Sequence, residues 1–429
     1  MAPNLRVLLV IEQCNPEWPS VPLEGFRYYE AVRELADVTL VTHERNRAAL
    51  TRSCAGAEVV FIPESRTISR YYRLVDRIAV RGGRVNWPLL YALGYPIYAE
   101  FNRRVFRRFS DSVAQGKFDV VHAFSPILPR YPVKLVKACR GTPFLLGPVN
   151  GGLPFPPAFG EIALKEFDRF NTLRVFSRAI PGYRATYRQA SRILAGSSAT
   201  EEMLRRLFAI HDDRIELFHE NGVAKSRFAP RTPQTPGDPV QLLFAGRLVP
   251  FKCADIVIDA LGRTAPDLRV ALTILGDGPE RRSLEERARR LNLADRVSFA
   301  GWIPHEQTAE YFQRAGIFCF PSIREFGGAV VLEAMAAGLA CIVTDYGGIA
   351  EYVTDDCGYR IAPRSREYLV CEMARRIEDL ARSEELRDRM SAAAVKRAAG
   401  FEWGRKGRRL IEIYANLLER TVTGSESLA

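Results

Sequence analysis

A chain of 429 residues, 47% hydrophobic and 26% charged, is a folded protein too long for one ordinary core, so two domains are expected. No apolar run reaches the roughly 18–20 residues of a membrane-spanning helix, and eight scattered cysteines with no C-x-x-C pair argue against a disulfide framework or a zinc site. The net charge of +11 is local: residues 66–140 hold 15 Lys and Arg against four acids, and the rest of the chain has 46 of each sign.

The chain enters a strand directly at Leu5–Ile11, with no basic segment or cleavage site ahead of it, so no signal peptide is expected. A long proline-rich loop, Gln13 to Leu23, leads to Gly25. Further strand-like runs follow at Val38–Thr42, Val59–Ile62, Phe118–Phe124, Pro143–Leu146 and Arg192–Ala195. Between them, residues 64–117 read as an insertion, helical by pattern but broken at Gly82-Gly83, Pro88 and Pro96. Its basic residues are interleaved with Tyr71, Tyr72, Trp87, Tyr91, Tyr95, Tyr98, Phe101, Phe106 and Phe109. That mixture suits an anionic membrane surface, with rings at headgroup level. It equally describes a solvated basic face. Nucleic acid is not expected, because no nucleic-acid motif accompanies the patch. After Gly147 the run PVNGGLPFPPAFGE is a loop.

A polar, proline-rich linker, Arg231 to Pro239, precedes a second series. It comprises strand Gln241–Ala245, helix Ala254–Arg263, strand Arg269–Leu275, helix Glu280–Leu291, strand Val297–Ala300, a short helix near Gln307–Arg314 and strand Ile317–Phe320. Runs such as LLFA and LTIL fit parallel strands covered on both faces. Phe401 to Arg420 reads as a helix carrying Trp403, Leu410, Ile413, Tyr414 and Leu417 at helical spacing, and Thr421 to Ala429 is expected to fray. The domain expectation is 1–230, linker 231–239, 240–400, and a terminal helix with tail over 401–429.

The chemistry concentrates between Gly301 and Gly348. Glu325 follows strand Ile317–Phe320, and Glu333, with seven residues between, is expected about two turns into a helix opened by Gly327-Gly328. A glycine-rich helix start offers free N–H groups to an anion, and ionised carboxylates accept hydrogen bonds from hydroxyls. Arg247 and Lys252, in the turn Ala245-Gly246-Arg247-Leu248-Val249-Pro250-Phe251-Lys252, can converge on one diphosphate. Leu275-Gly276-Asp277-Gly278-Pro279-Glu280 is a strand-to-helix turn whose Gly276 and Gly278 permit close backbone approach. His122 sits near the end of a strand, either as a satisfied core histidine or pointing into the crevice where α/β proteins bind ligands.

With Pro321-Ser322 before Glu325, Phe326-Gly327 after it, Glu333-Ala334-Met335-Ala336-Ala337-Gly338 closing the helix and Gly347-Gly348-Ile349-Ala350-Glu351 beyond the next strand, the segment resembles the E-x7-E element of retaining glycosyltransferases with the GT-B fold, family 4. The resemblance implies an α/β architecture of two doubly wound, Rossmann-like domains facing across a cleft, with the C-terminal helix crossing back to the first. It implies a nucleoside-diphosphate sugar as donor substrate, with no other cofactor and no metal. Arg247, Lys252 and the Gly327-Gly328 helix start would hold the diphosphate, with Glu333 on the ribose, Glu325 and Phe326 at the sugar, and Gly246, Gly276 and Gly278 lining the nucleotide. His122 would lie near the transferred sugar and Gly25 near the donor phosphates. The family's Gly-Gly is Glu24-Gly25 here, and the Gly it usually has after the lysine is Cys253, which lacks glycine's backbone freedom. Asn150-Gly151-Gly152 is an alternative element on the acceptor side. The expected acceptor is a carbohydrate or lipid-linked hydroxyl in polysaccharide or glycolipid assembly, and the expected place is the cytoplasm, peripheral to the inner membrane face. Rival readings are a nucleotide-sugar epimerase of the same architecture and a non-catalytic binding subunit.

Overall fold

The computed structural model describes residues 5–18, 20–54, 56–81, 84–85, 87–124, 131–166, 179–228, 231–232 and 237–426. The expected Gly82-Gly83 break, residues 233–236 of the proline-rich run and the last three residues of the tail lie outside them. The chain divides into two units: Met1–Gly152, Arg169–Glu220 and Trp403–Ala429 form the first, and Leu153–Asp168 with Asn221–Glu402 the second.

The strands are β1 Arg6–Val10, β2 Asp37–His43, β3 Val59–Ile62, β4 Val80–Arg81, β5 Arg84–Val85, β6 Val120–Ala123, β7 Phe144–Val149, β8 Arg192–Ala195 and β9 Ile215–Leu217 in the first unit. In the second they are β10 Val240–Ala245, β11 Val270–Leu275, β12 Val297–Gly301, β13 Ile317–Phe320, β14 Ala340–Thr344 and β15 Gly358–Ile361. The first sheet has the order β3-β2-β1-β6-β7-β8-β9 and the second β12-β11-β10-β13-β14-β15, while β4 and β5 pair only with each other. Every neighbour in the two large sheets is parallel. Parallel strands with helices on both faces lose alternation, and β13 and β14 are buried at every position. Both units are therefore doubly wound.

One face of the first sheet is covered by the helix Trp87–Ala114 through Tyr98, Phe101, Val105 and Phe109. The other is covered by the helices Val21–Arg33 and Trp403–Glu426, the latter through Leu410, Ile413, Tyr414 and Leu417. The terminal helix thus returns to the first unit, and it continues over 421–426, where fraying was expected. Pro96 lies inside the helix Trp87–Ala114 and does not break it, and Pro88 falls in its first turn, where the missing N–H costs nothing. Three of the aromatics expected at a membrane surface, Tyr98, Phe101 and Phe109, are instead core residues. The second unit takes in 153–168 and 221–230 because Phe155, Phe159 and Val223 join its hydrophobic core. Six of the eight cysteines are buried, and all are free thiols. Among the described residues no helix is long and apolar enough to cross a membrane.

Candidate functional site

In the second sheet the strand order reverses between β10 and β13. Ligands of open α/β sheets bind outside the carboxyl ends of strands at such a reversal. The segments leaving these two strands carry Arg247, Lys252 and Glu325.

Lys252 closes a single turn of 3-10 helix, Pro250–Lys252, and its ammonium forms an ion pair with the Glu325 carboxylate. Their side chains are 12% and 16% exposed, so the pair is shielded yet reachable. Ser322 Oγ donates to Glu325 at 3.3 Å, and the Lys252 ammonium lies 4.7 Å from the centre of the Phe320 ring. Carboxylate, hydroxyl, cation and ring fix one another's rotamers. Arg247 is exposed, and none of the described carboxylates forms an ion pair with it. The structure thus brings Lys252 to Glu325 and leaves Arg247 open to an anion.

The helix after Glu325 is Ala329–Ala336, and its N-cap is Gly328 in the left-handed region, φ 71° and ψ 55°. A side chain at Gly328 would meet Ile349 at 2.4 Å and Glu325 at 2.9 Å. Gly348 donates its N–H to the Glu325 carbonyl at 3.0 Å, tying the loop after β14 to the Glu325 loop. Glu333 is the fifth residue of this helix, little more than one turn in, rather than two. Its carboxylate meets His305 Nε2 at 2.7 Å. Arg227 holds the same histidine, donating to its carbonyl at 2.6 Å, and donates to Thr308 Oγ1 at 3.0 Å. Sequence reasoning gave His305 no role; the only available signal was its place in the loop after β12.

Gly246 and Gly276 have a packing reason. The N–H of Gly246 donates to the Leu275 carbonyl at 2.9 Å, and a side chain on Gly276, at φ 133°, would meet the Gly246 carbonyl at 2.0 Å. A side chain on Gly278 would meet the Leu248 carbonyl at 2.5 Å. The two turns lie backbone against backbone, which aligns Arg247 beside the β11 end. Phe326 is half-buried, and the Arg324 guanidinium lies 5.6 Å from its ring. Arg324 also donates to the Leu153 carbonyl at 3.1 Å and covers the Phe155 ring at 4.6 Å, drawing residues 153–155 onto this loop. Cys253 adopts φ 54° and ψ 38°, so a thiol-bearing residue does occupy the left-handed conformation expected to need glycine.

Two expectations in the first unit are corrected. Gly25 lies within the helix Val21–Arg33, not in a loop, and a side chain there would meet the Gln13 carbonyl at 2.5 Å. His122 does not point into open space: it is fully buried, 2.7 Å from the Tyr414 hydroxyl through Nδ1 and 2.7 Å from the Gly147 carbonyl through Nε2. Burial lowers its pKa to about 4, against the Gly147 bond that favours the charged form. Asn150 is the centre of a buried network: its Nδ2 donates to Glu220, and its Oδ1 accepts from Ser197 and Thr200.

Residues 226–397 match the family described as Glycosyl transferases group 1. Among curated proteins, the D-inositol 3-phosphate glycosyltransferase of Streptomyces scabiei is 30% identical over 247 residues, which is 53% of this chain and 54% of that protein. That of Kribbella flavida is 30% identical over 232 residues, 50% of this chain and 54% of that protein. The chain spans about half the length of the curated relatives it matches. Among solved structures, a glycosyltransferase from Rickettsia africae gives a TM-score of 0.63 at 15% identity, covering 97% of this chain and 99% of its own. The Anabaena protein HepE, solved with UDP, gives 0.61 at 15% identity, covering 96% and 100%. At that identity the likeness speaks for the fold. The E-x7-E loop and helix, the Arg247–Lys252 turn and the strand reversal that joins them all fall within the segment that matches the group 1 glycosyl transferases.

Proposed function

We propose that this chain is a retaining glycosyltransferase that moves a sugar from a nucleoside-diphosphate sugar to an acceptor hydroxyl, without a metal, in polysaccharide or glycolipid assembly. The observation that carries the reading is the shielded Lys252–Glu325 pair at the strand reversal, next to the Gly328 helix start. A departing diphosphate gathers negative charge. Arg247, Lys252 and the positive end of the helix Ala329–Ala336 would neutralise it, as preorganised charges do at a developing oxyanion. When the diphosphate draws on Lys252, the Glu325 carboxylate is released toward the sugar hydroxyls. Glu333, steadied by His305, accepts from the ribose hydroxyls. The bond between the anomeric carbon and the diphosphate oxygen breaks, the acceptor oxygen bonds to that carbon on the same face, and the acceptor proton passes to the departing phosphate oxygen.

The test is thermal stability against UDP-, GDP-, ADP- and dTDP-sugars, with and without EDTA. A donor at about 100 times its dissociation constant adds roughly 2.7 kcal/mol to the binding state. One nucleotide should raise the melting temperature, the rise should survive EDTA, and Glu333→Ala should abolish it. Glu325→Gln should keep the fold while lowering turnover by roughly a hundredfold or more, as expected for loss of a charge-assisted contact at the reacting sugar. A fully active Glu325→Gln protein, or a rise that EDTA removes, contradicts the reading.

A further inference from the structure

A segment far from the motifs reaches the Glu325 loop. Leu153-Pro154-Phe155-Pro156-Pro157-Ala158-Phe159 lies ahead of the matched residues 226–397, yet it belongs to the second unit. Pro154, Pro156 and Pro157 fix φ and offer no N–H, so the segment is preset as an extended strap, and Pro156 has φ −58° and ψ 140°. Phe155 and Phe159 anchor it in the core of that unit. The helix that follows, Gly160–Lys165, packs against the turn Pro250–Lys252.

The main chain of the strap is held by two loops, the one that carries Glu325 and the one after β14. Arg324, one residue before Glu325, donates through Nε to the Leu153 carbonyl at 3.1 Å. Its guanidinium lies against two rings, 4.6 Å from the centre of Phe155 and 5.6 Å from that of Phe326. Tyr346 donates its hydroxyl to the Pro154 carbonyl at 3.0 Å. Beside it, a side chain on Gly347, at φ 71°, would meet the Glu325 carbonyl at 2.4 Å and the Leu153 side chain at 2.7 Å. Leu153, Gly347 and the Glu325 main chain therefore converge.

A strap that only filled the core would be explained by Phe155 and Phe159. It would not need the carbonyls of Leu153 and Pro154 to be taken by side chains from the two loops that meet at Glu325. An arginine engaged by a carbonyl and two rings keeps one geometry, because its planar fork is already rigid. The next residue is Glu325. Lys252 and Ser322 aim the Glu325 side chain, and the Gly348 N–H holds its carbonyl at 3.0 Å. Arg324 fixes the peptide on the other side. A contact made at a reacting sugar is lost when its group is displaced by about an ångström.

We propose that Arg324, clamped by Leu153–Phe159, is a positioning residue for Glu325, so that a stretch from the first half of the chain sets how the sugar is held in a site built by the second half. This rests on the transferase reading and adds to it a residue and a segment that the motifs do not contain. The clamp acts on the sugar contact and leaves the nucleotide contacts of Arg247 and Glu333 as they are.

The test compares the native full chain with Arg324→Met, Arg324→Lys and Tyr346→Phe by titration calorimetry. The probes are UDP-glucose, UDP-galactose, UDP-N-acetylglucosamine, GDP-mannose, ADP-glucose and dTDP-rhamnose, each beside its free nucleoside diphosphate. The free diphosphate should bind all four proteins alike, whereas its nucleotide sugar should bind Arg324→Met roughly 10-fold more weakly than the native chain, as loss of about one charge-assisted contact implies. Arg324→Lys keeps the charge without the fork and should fall between the two. Tyr346→Phe removes one hydroxyl and should weaken the nucleotide sugar about threefold; it decides the matter if Arg324→Met is unfolded by circular dichroism. Native affinity for the nucleotide sugar in folded variants overturns the proposal. So does equal loss of sugar and diphosphate, which would make the clamp a support of the whole unit. A native chain that binds no probe and no free diphosphate overturns the transferase reading itself, and the proposal with it.

Discussion

Both nitrogens of His122 are occupied, and that fixes its tautomer. The Gly147 carbonyl can only accept, so Nε2 carries the hydrogen and Nδ1 accepts from the Tyr414 hydroxyl. The buried ring holds its pKa near 4, below the usual 6.5. Between those values the unfolded chain binds a proton that the folded chain does not. The contribution to stability is therefore complete above pH 6.5 and lost as pH falls toward 4, on the order of 3 kcal/mol at most. His122→Asn should flatten the dependence of melting temperature on pH between 6.5 and 4. The difference between the two curves isolates this ring from His43, which burial also lowers to about 4. Identical slopes would contradict the assignment. At this scale the sequence was legible where chemistry leaves a local pattern, as for Lys252 and Glu325. Partners supplied from far along the chain were not: His305 for Glu333, and Tyr414, 292 positions away, for His122.

The helix Arg66–Ala79 retains what is left of the membrane expectation. Val75 and Ala79 are buried, whereas Tyr72, Leu74 and Ile78 are 39%, 53% and 40% exposed. Leu74 and Ile78 are one turn apart, beside a face carrying exposed Arg66, Arg70, Arg73 and Arg77, with Asp76 as the opposing charge. We propose this helix as the contact with an anionic lipid surface, each arginine adding about 1 kcal/mol near the headgroups. In vesicle flotation the native chain should float with anionic and not with neutral vesicles, and Leu74→Glu with Ile78→Glu should stay at the bottom of the gradient. Unchanged flotation of that double variant would remove the helix from consideration. Strands were legible because parallel strands buried on both faces are bare apolar runs: Val59–Ile62, Arg192–Ala195 and Ile317–Phe320 fall where read. Ile215–Leu217 was missed because three residues carry no periodicity. The aromatics of Trp87–Ala114 misled because one apolar face per helix serves a core or a membrane equally well, and only packing against the sheet separates them.

Two doubly wound units were legible from a pattern that stops at a proline-rich run and starts again. Their membership was not, since it depends on which core receives Phe155, Val223 or Leu410. The returning helix contributes to the first unit directly. Leu410, Ile413, Tyr414 and Leu417 are 0–4% exposed, and Lys406 donates to the His219 carbonyl with its ammonium 4.2 Å from the Phe218 ring. Ile413→Ala should destabilise that unit by about 2–5 kcal/mol. In hydrogen exchange, β1 and β2 should lose protection while β13 and β14 keep theirs. Equal loss in both sheets would mean that the helix serves the two units alike.

A sheet whose cover is encoded at Trp403–Glu426 cannot be finished when its own strands are made. On the ribosome, β1 through β9 are made before most of the second unit, yet the face carrying Val7 and Leu9 has only the helix Val21–Arg33 as cover until the whole of Asn221–Glu402 has been translated. Domains ordinarily mature in the order of their synthesis. Here the later-born unit can close first, while the earlier one waits, greasy side outward, for the final helix. During that interval the apolar surface destined for Leu410, Ile413 and Leu417 lacks its partner, the condition in which a nascent chain is prone to aggregate.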